Sequence, residues 1–223
     1  MAQPKLIIDE ELMRQLHQQK LFPKESFKID LPVEEIARLL MNCYVEKVRE
    51  RNRQFVHDEH TERQVMTIAE ILGTPSHKFG ILLSGQCGNG KTTMLYAIRT
   101  LIHFLYSRGS RYLPKDLSSE IPIVTAKRVI EETISSDHMA FRHQDILMID
   151  DLGHEPTEIV HYGMVYTPVV DLLEARYERM KYTIISTNLP PTEIRPKYKN
   201  RLADRFNEMM NFVEFTGESY RLI

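Results

Sequence analysis

The chain has 223 residues, with 29 Lys+Arg against 31 Asp+Glu, a net charge of -2, 42% apolar and 27% charged residues. That balance belongs to a folded domain and excludes a disordered chain or a histone-like coat of DNA, while leaving room for a local basic groove. No run approaches the roughly 18 apolar residues of a membrane span, Asp9, Glu10 and Glu11 precede any leader-like apolar core, and Cys43 and Cys87 are too few for a disulfide framework or a four-cysteine zinc site. A cytoplasmic protein is expected.

Residues 1–60 are polar, helix-patterned and free of Gly. A short helix is expected over residues 9–21, stopped by Pro23, and a second from Pro32 to about Gln54. Ile36, Leu39, Leu40, Cys43 and Tyr44 share one face of the second, for inward packing or a partner's groove. Glu46 to Arg53 reads as a solvated mixed-charge segment. His57-Asp58-Glu59-His60 reads as a linker whose histidines are not expected to hold a metal. Thr61-Glu62-Arg63-Gln64 then has capping-box form and opens a helix closed by Gly73.

Beyond this point strands and helices alternate. Strands are expected over residues 81–84, 121–125, 145–149, 183–187 and 211–215. Helices are expected over residues 92–107, 127–134, 169–180 and 201–210. Largely apolar strands separated by helices imply a parallel sheet covered on both faces.

The strongest motif is Gly85-Gln86-Cys87-Gly88-Asn89-Gly90-Lys91-Thr92, which fits G-x-x-x-x-G-K-[ST] between a strand and a helix. Glycines let successive N–H groups curl around one anion, and the helix that follows adds its positive end. Lys91 is expected on the β- and γ-phosphates of ATP, Thr92 on Mg²⁺, and Thr93 completes the binding stretch. The apolar strand Ile146-Leu147-Met148-Ile149 ends in Asp150-Asp151: Asp150 suits the Mg²⁺ shell, and Asp151 suits polarising a water. Asn188 follows the fourth strand, where an amide can reach both the γ-phosphate and the attacking water; the plainer reading is a turn residue before Pro190-Pro191. Arg201 and Arg205 lie four apart on one helix face. They are expected to act in trans on a neighbouring subunit's nucleotide, against the simpler reading of a helix surface paired with Asp204.

These elements in this order resemble the AAA+ ATPases, and within them the DnaC-type helicase loader and IstB-like clade, over residues 61–223. Ile123-Val124-Thr125-Ala126, Asp150-Asp151-Leu152-Gly153 and the ending Gly217-Glu218-Ser219-Tyr220-Arg221 carry the same likeness. The resemblance implies a five-stranded parallel α/β P-loop sheet in the order 5-1-4-3-2 without a helical lid, preceded by a helical N-terminal partner-binding segment, residues 1–60. It implies Lys91 and Thr92 as Walker A, Asp150 and Asp151 as Walker B, Asn188 as sensor 1 and Arg205 as arginine finger beside Arg201, with Arg221 in place of a lid arginine. Asp151 stands where many relatives have Glu, so hydrolysis is expected to be slow and assembly-dependent. Cys87 could make the loop oxidation-sensitive.

The implied function is an ATPase that self-associates through its ATP site and loads a hexameric replicative helicase onto single-stranded DNA. Lys127, Arg128 and Arg142 are DNA-contact candidates, with Phe141 the one nearby aromatic for stacking. Alternatives are an IstB-like regulator working with a transposase on duplex DNA, a nucleotide-gated adaptor with little turnover, and, more remotely, a small-molecule P-loop kinase.

Overall fold

The computed structural model describes residues 10, 11, 14, 26–109, 111–134, 139–217, 219 and 220. The expected helix over 9–21 lies mostly outside them, although residues 10, 11 and 14 are helical; Arg221 also lies outside, as does the Arg201 side chain.

Helix α1 (Val33–Arg49) follows Pro32, which is its N-cap rather than its first helical residue. Glu34 and Glu35 in its first turn and Lys47 and Arg49 in its last suit the helix dipole. It stops five residues short of the expected end, because the chain turns at Asn52, held at φ 55°, a conformation Asn tolerates. Its face Ile36, Ala37, Leu40 and Tyr44 is buried in the common core, packed on α2 (Glu59–Gly73) and on α3 (Lys91–Ser107). The boundary at residue 60 therefore marks a change of sequence character, not of packing, over the described residues.

The presumed linker His57-Asp58-Glu59-His60 is instead the start of α2. Asp58 is the N-cap, its carboxylate accepting the Thr61 N–H at 2.8 Å. Thr61 is thus the capped residue, not the cap; the local pattern was right but shifted by three. His57 pairs with Glu62 at 3.0 Å.

The central sheet holds β1 (Gly80–Gly85), β2 (Ile123–Thr125), β3 (Ile146–Leu152), β6 (Tyr182–Thr187) and β7 (Asn211–Phe215) in the order β2-β3-β6-β1-β7, every pair parallel. Counting these five in chain order gives 5-1-4-3-2, as expected. Ile81, Leu82 and Leu83 of β1 and Ile184 and Ile185 of β6 are fully buried, as a sheet covered on both faces requires. α3, α4 (Ala126–Ile134), α5 (Met139–His143), α6 (Pro168–Glu178) and α7 (Pro191–Met209) complete the layers. α7 begins ten residues before the expected start and breaks at Lys199 (φ 65°, ψ 172°).

Two features were not expected. Between β3 and α6 a hairpin pairs β4 (Ile159–His161) with β5 (Met164–Tyr166), turning through Tyr162 and Gly163, both at positive φ, as two-residue hairpin loops require. It leaves Val160 74% and Tyr162 91% exposed. The guanidinium of Arg176 on α6 is fully buried and donates to Thr183 Oγ1 and to the carbonyls of Phe141, Gln144 and Tyr182. Burial pushes its pKa down to about 9, still above neutral pH, so it stays charged.

Candidate functional site

At the C-terminal ends of the parallel strands, where such sheets present ligand-binding groups, lies a cavity of about 810 Å³. The turn from β1 into α3 forms its floor. Gly90, the N-cap of α3, sits at φ 94°, and a Cβ there would lie 2.3 Å from Tyr44 Oη. A Cβ on Gly85 would lie 2.2 Å from the Phe215 carbonyl. Both positions need glycine, for conformation at the first and for space at both.

Lys91 is buried, its ammonium donating to the carbonyls of Gly85 (2.6 Å) and Gln86 (2.7 Å) and to Asn89 Oδ1 (3.1 Å). Asn89 is buried as well and donates through Nδ2 to the Phe215 carbonyl on β7. Cys87, Gly88, Gly90, Lys91, Thr92 and Thr93 line the cavity; Gly85, Gln86 and Asn89 shape the loop from behind.

The acidic strand end meets this loop directly. Thr92 Oγ1 donates to Asp150 Oδ1 at 3.0 Å, and Ser186 on β6 donates to the same oxygen. Ser186 Oγ also accepts the Asp151 N–H at 3.0 Å, holding Asp151 at φ 57° with its side chain exposed to the cleft. Asn188 faces the cavity from the end of β6, and its amide Nδ2 donates to His154 Nε2 at 2.8 Å. One hydroxyl and one carboxylate in contact, both oxygen donors, suit a hard cation such as Mg²⁺.

Arg205 is not among the lining residues. It is 14% exposed, with Nη1 2.8 Å from Glu174 Oε1, Nη2 3.8 Å from Glu178 Oε1 and its guanidinium 5.0 Å from the centre of the Tyr177 ring. Asp204 pairs with Arg195 instead, at 2.6 Å. Of the DNA-contact candidates, Lys127 lies 3.9 Å from Glu131 and Arg128 3.1 Å from Glu132, both in exposed pairs on α4, and Arg142 on α5 is half-buried and partnered. Phe141 packs against the core, so it is no exposed stacking platform.

The far wall combines Arg51 and Arg53, which the sequence pattern places in a solvated segment, with residues of the apolar helix face and of the C-terminal stretch. Arg51 and Arg53 enter the cavity from the turn after α1, and Arg51 Nη1 donates to Thr93 Oγ1 at 3.1 Å. Tyr44, Val48 and Phe55 add an apolar flank, with Tyr44 and Phe55 edge-to-face at 6.3 Å. Tyr220 closes the mouth: its N–H donates to the Gly88 carbonyl at 3.1 Å and its hydroxyl to Asp58 Oδ2 at 2.7 Å. Burial pushes the hydroxyls of Tyr44 and Tyr220 up. For Asp58, burial works upward but is outweighed by hydrogen bonds from Thr61 and Tyr220, which hold its carboxyl below 3.8. These residues come from both sides of the loop in sequence, so only the tertiary fold reveals them.

A β1–loop–α3 phosphate cradle facing an acidic β3, on a 5-1-4-3-2 sheet, is the arrangement of the AAA+ P-loop proteins, and the solved structures agree. The chain matches the DnaC helicase loader at a TM-score of 0.51, with 17% identity over 73% of this chain and 93% of that one. The fold is that of the DnaC-type AAA+ proteins. DnaI matches at 0.53, with 18% identity over 85% of this chain and 96% of that one. Domain III of the Thermotoga maritima replication initiation protein DnaA matches at 0.50, with 18% identity over 73% and 65%. No protein-family model matches the sequence, and no curated protein does. No described helix of this AAA+ fold is long and apolar enough to cross a membrane.

Proposed function

We propose that this protein is a DnaC-like replication ATPase of the cytoplasm that binds ATP, hydrolyses it slowly, and loads a hexameric replicative helicase onto single-stranded DNA. The contact of Thr92 with Asp150, beside the buried ammonium of Lys91, carries this reading. The cavity around that contact falls within the roughly 300–1,000 Å³ of small-molecule sites.

In this reading Lys91 neutralises the β- and γ-phosphates, and Arg51 and Arg53 add charge at the cleft wall. Thr92 and Asp150 hold Mg²⁺, which when bound offsets the charge on the phosphoryl oxygens. Asp151 orients a water, Asn188 presents its amide to the γ-phosphate, and the apolar flank of Tyr44, Val48 and Phe55 takes the base. Arg205 serves an adjoining subunit's nucleotide after leaving Glu174. The N-terminal segment grips the helicase through its outer surface, since the inner face of α1 is buried against the ATP-binding core.

The adaptor with little turnover draws support from two observations: the short Asp151 at the acidic position and an Arg205 committed to its own chain. Titration with ATP and Mg²⁺, paired with turnover per subunit at rising protein concentration, tests both. Lys91→Ala is expected to weaken ATP at least tenfold, and wild-type turnover to climb with concentration and with helicase present. Undiminished affinity in Lys91→Ala overturns the site, and flat turnover leaves only the adaptor. Preference for duplex over single-stranded DNA favours the transposition regulator.

A further inference from the structure

No Asp or Glu stands between Glu70 and Asp116, although 31 of the 223 residues are acidic. Within this stretch, Thr74 to His77 and the loop at Gln86 and Cys87 reach solvent, as do the outer side of α3 and the turn beyond it. There the cations pair with rings rather than with carboxylates. The Arg99 guanidinium lies 5.1 Å from the Tyr96 ring centre, Arg108 4.8 Å from Phe104 and Arg111 4.7 Å from Tyr112. Among the described residues none of these three arginines has a carboxylate within 4.0 Å. Of the acids on neighbouring α1 and at its C-cap, Glu35 is engaged by Arg38, Glu46 by Arg49 and Glu50 by Lys47, and Glu34 lies in the exposed first turn.

We infer that this strip is a binding surface for single-stranded nucleic acid. A row of guanidinium groups without carboxylate partners attracts phosphates. The exposed Phe104 ring beside Arg108, with the half-buried Tyr96 beside Arg99, gives unpaired bases surfaces on which to stack, whereas Tyr112 packs against the core. A duplex, with its bases stacked on each other, gains only the phosphate attraction. On α4 the cations expected to meet DNA, Lys127 and Arg128, instead have carboxylates beside them, Glu131 and Glu132, and Phe141 on α5 packs against the core. The inference rests on the nucleic-acid part of the proposed function and names the surface that part uses.

The test is fluorescence anisotropy of a labelled oligothymidylate with the full chain, across a salt series, for wild type, Arg99→Gln/Arg108→Gln/Arg111→Gln and Lys127→Gln/Arg128→Gln. The α3 triple variant is expected to bind at least tenfold more weakly, with a salt slope shallower by about two, while the α4 pair stays near wild type. All three α3 arginines lie outside the ATP cavity, so unchanged ATP affinity and melting temperature certify that the variant is folded; Phe104→Ala, expected to weaken the oligonucleotide alone, replaces it if that control fails. Wild-type binding that the triple variant or Phe104→Ala leaves intact, or that only the α4 pair reduces, overturns the strip and spares the functional reading. Failure of wild type to bind the oligonucleotide overturns both, and binding to anionic phosphatidylserine vesicles in its place assigns the strip to a membrane surface and overturns it too.

Discussion

His154 matters because of the amide it holds. Its Nε2 accepts from Asn188 Nδ2, which fixes which way that amide turns and leaves its second hydrogen for the cleft. A positioning hydrogen bond of about 1 kcal/mol corresponds to roughly fivefold in rate. His154→Ala is therefore expected to lower kcat about fivefold with the ATP affinity unchanged, and His154→Gln to recover part of it; a loss in affinity instead would assign His154 to ground-state binding. That Lys91, Thr92, Asp150 and Asn188 gather at the ends of the strands was legible in the sequence, because a glycine-rich strand-to-helix loop and apolar strands ending in polar residues have fixed local signatures. His154, Ser186, Arg51 and Tyr220 were not, since each acquires its place from a partner far along the chain. Arg205 was legible as an exposed helix cation but not as one already paired, because Glu174 sits on the preceding helix.

At the scale of single elements, the start of α2 and the buried cation of α6 carry the clearest consequences. Asp58 caps α2 and accepts the Tyr220 hydroxyl, and its folded pKa is depressed. A depressed carboxyl contributes stability above its unfolded pKa, near 3.9, and that contribution disappears as pH falls through the lower folded value. Asp58→Asn is expected to lower stability at pH 7 and to match wild type at pH 2, read from denaturant midpoints at both. Arg176→Ala removes the donor to three carbonyls and to Thr183 Oγ1, which keeps its own bond to the Lys181 carbonyl. The expected cost is about 4 kcal/mol, or roughly 12 °C in melting temperature for a chain of this size. The sequence marked the strands and their helices well, because their apolar runs and Gly or Pro punctuation are local. It missed the β4–β5 hairpin, whose Tyr162-Gly163 turn is an uncommon choice and whose outward apolar side chains break the usual alternation.

For the molecule as a whole, the proposed trans role of Arg205 meets an arginine already paired on its own chain. Glu174 and Glu178 hold Arg205 on its own chain, so in the proposed assembly a neighbour's nucleotide competes with that pair. Glu174→Gln weakens the hold without removing Arg205. It is expected to raise turnover several-fold at a protein concentration where wild type is still poorly active, with no change for diluted monomer; a uniform loss of turnover would show that Glu174 aligns Arg205 rather than restrains it. The 5-1-4-3-2 order was anticipated through the family resemblance, whereas the packing of α1 into the core was left open, because a single amphipathic face reads the same whether it meets its own chain or another.

Tyr44 touches the turn at Gly90, Arg51 holds Thr93, and Tyr220 ties the Gly88 carbonyl to Asp58. Helix α1 is thus physically continuous with the phosphate loop. On the proposed reading, thermodynamic reciprocity binds the two ends together: any protein whose grip on α1 shifts Tyr44 or Arg51 would change the hold on ATP by a given factor, and ATP would change that protein's grip by the same factor.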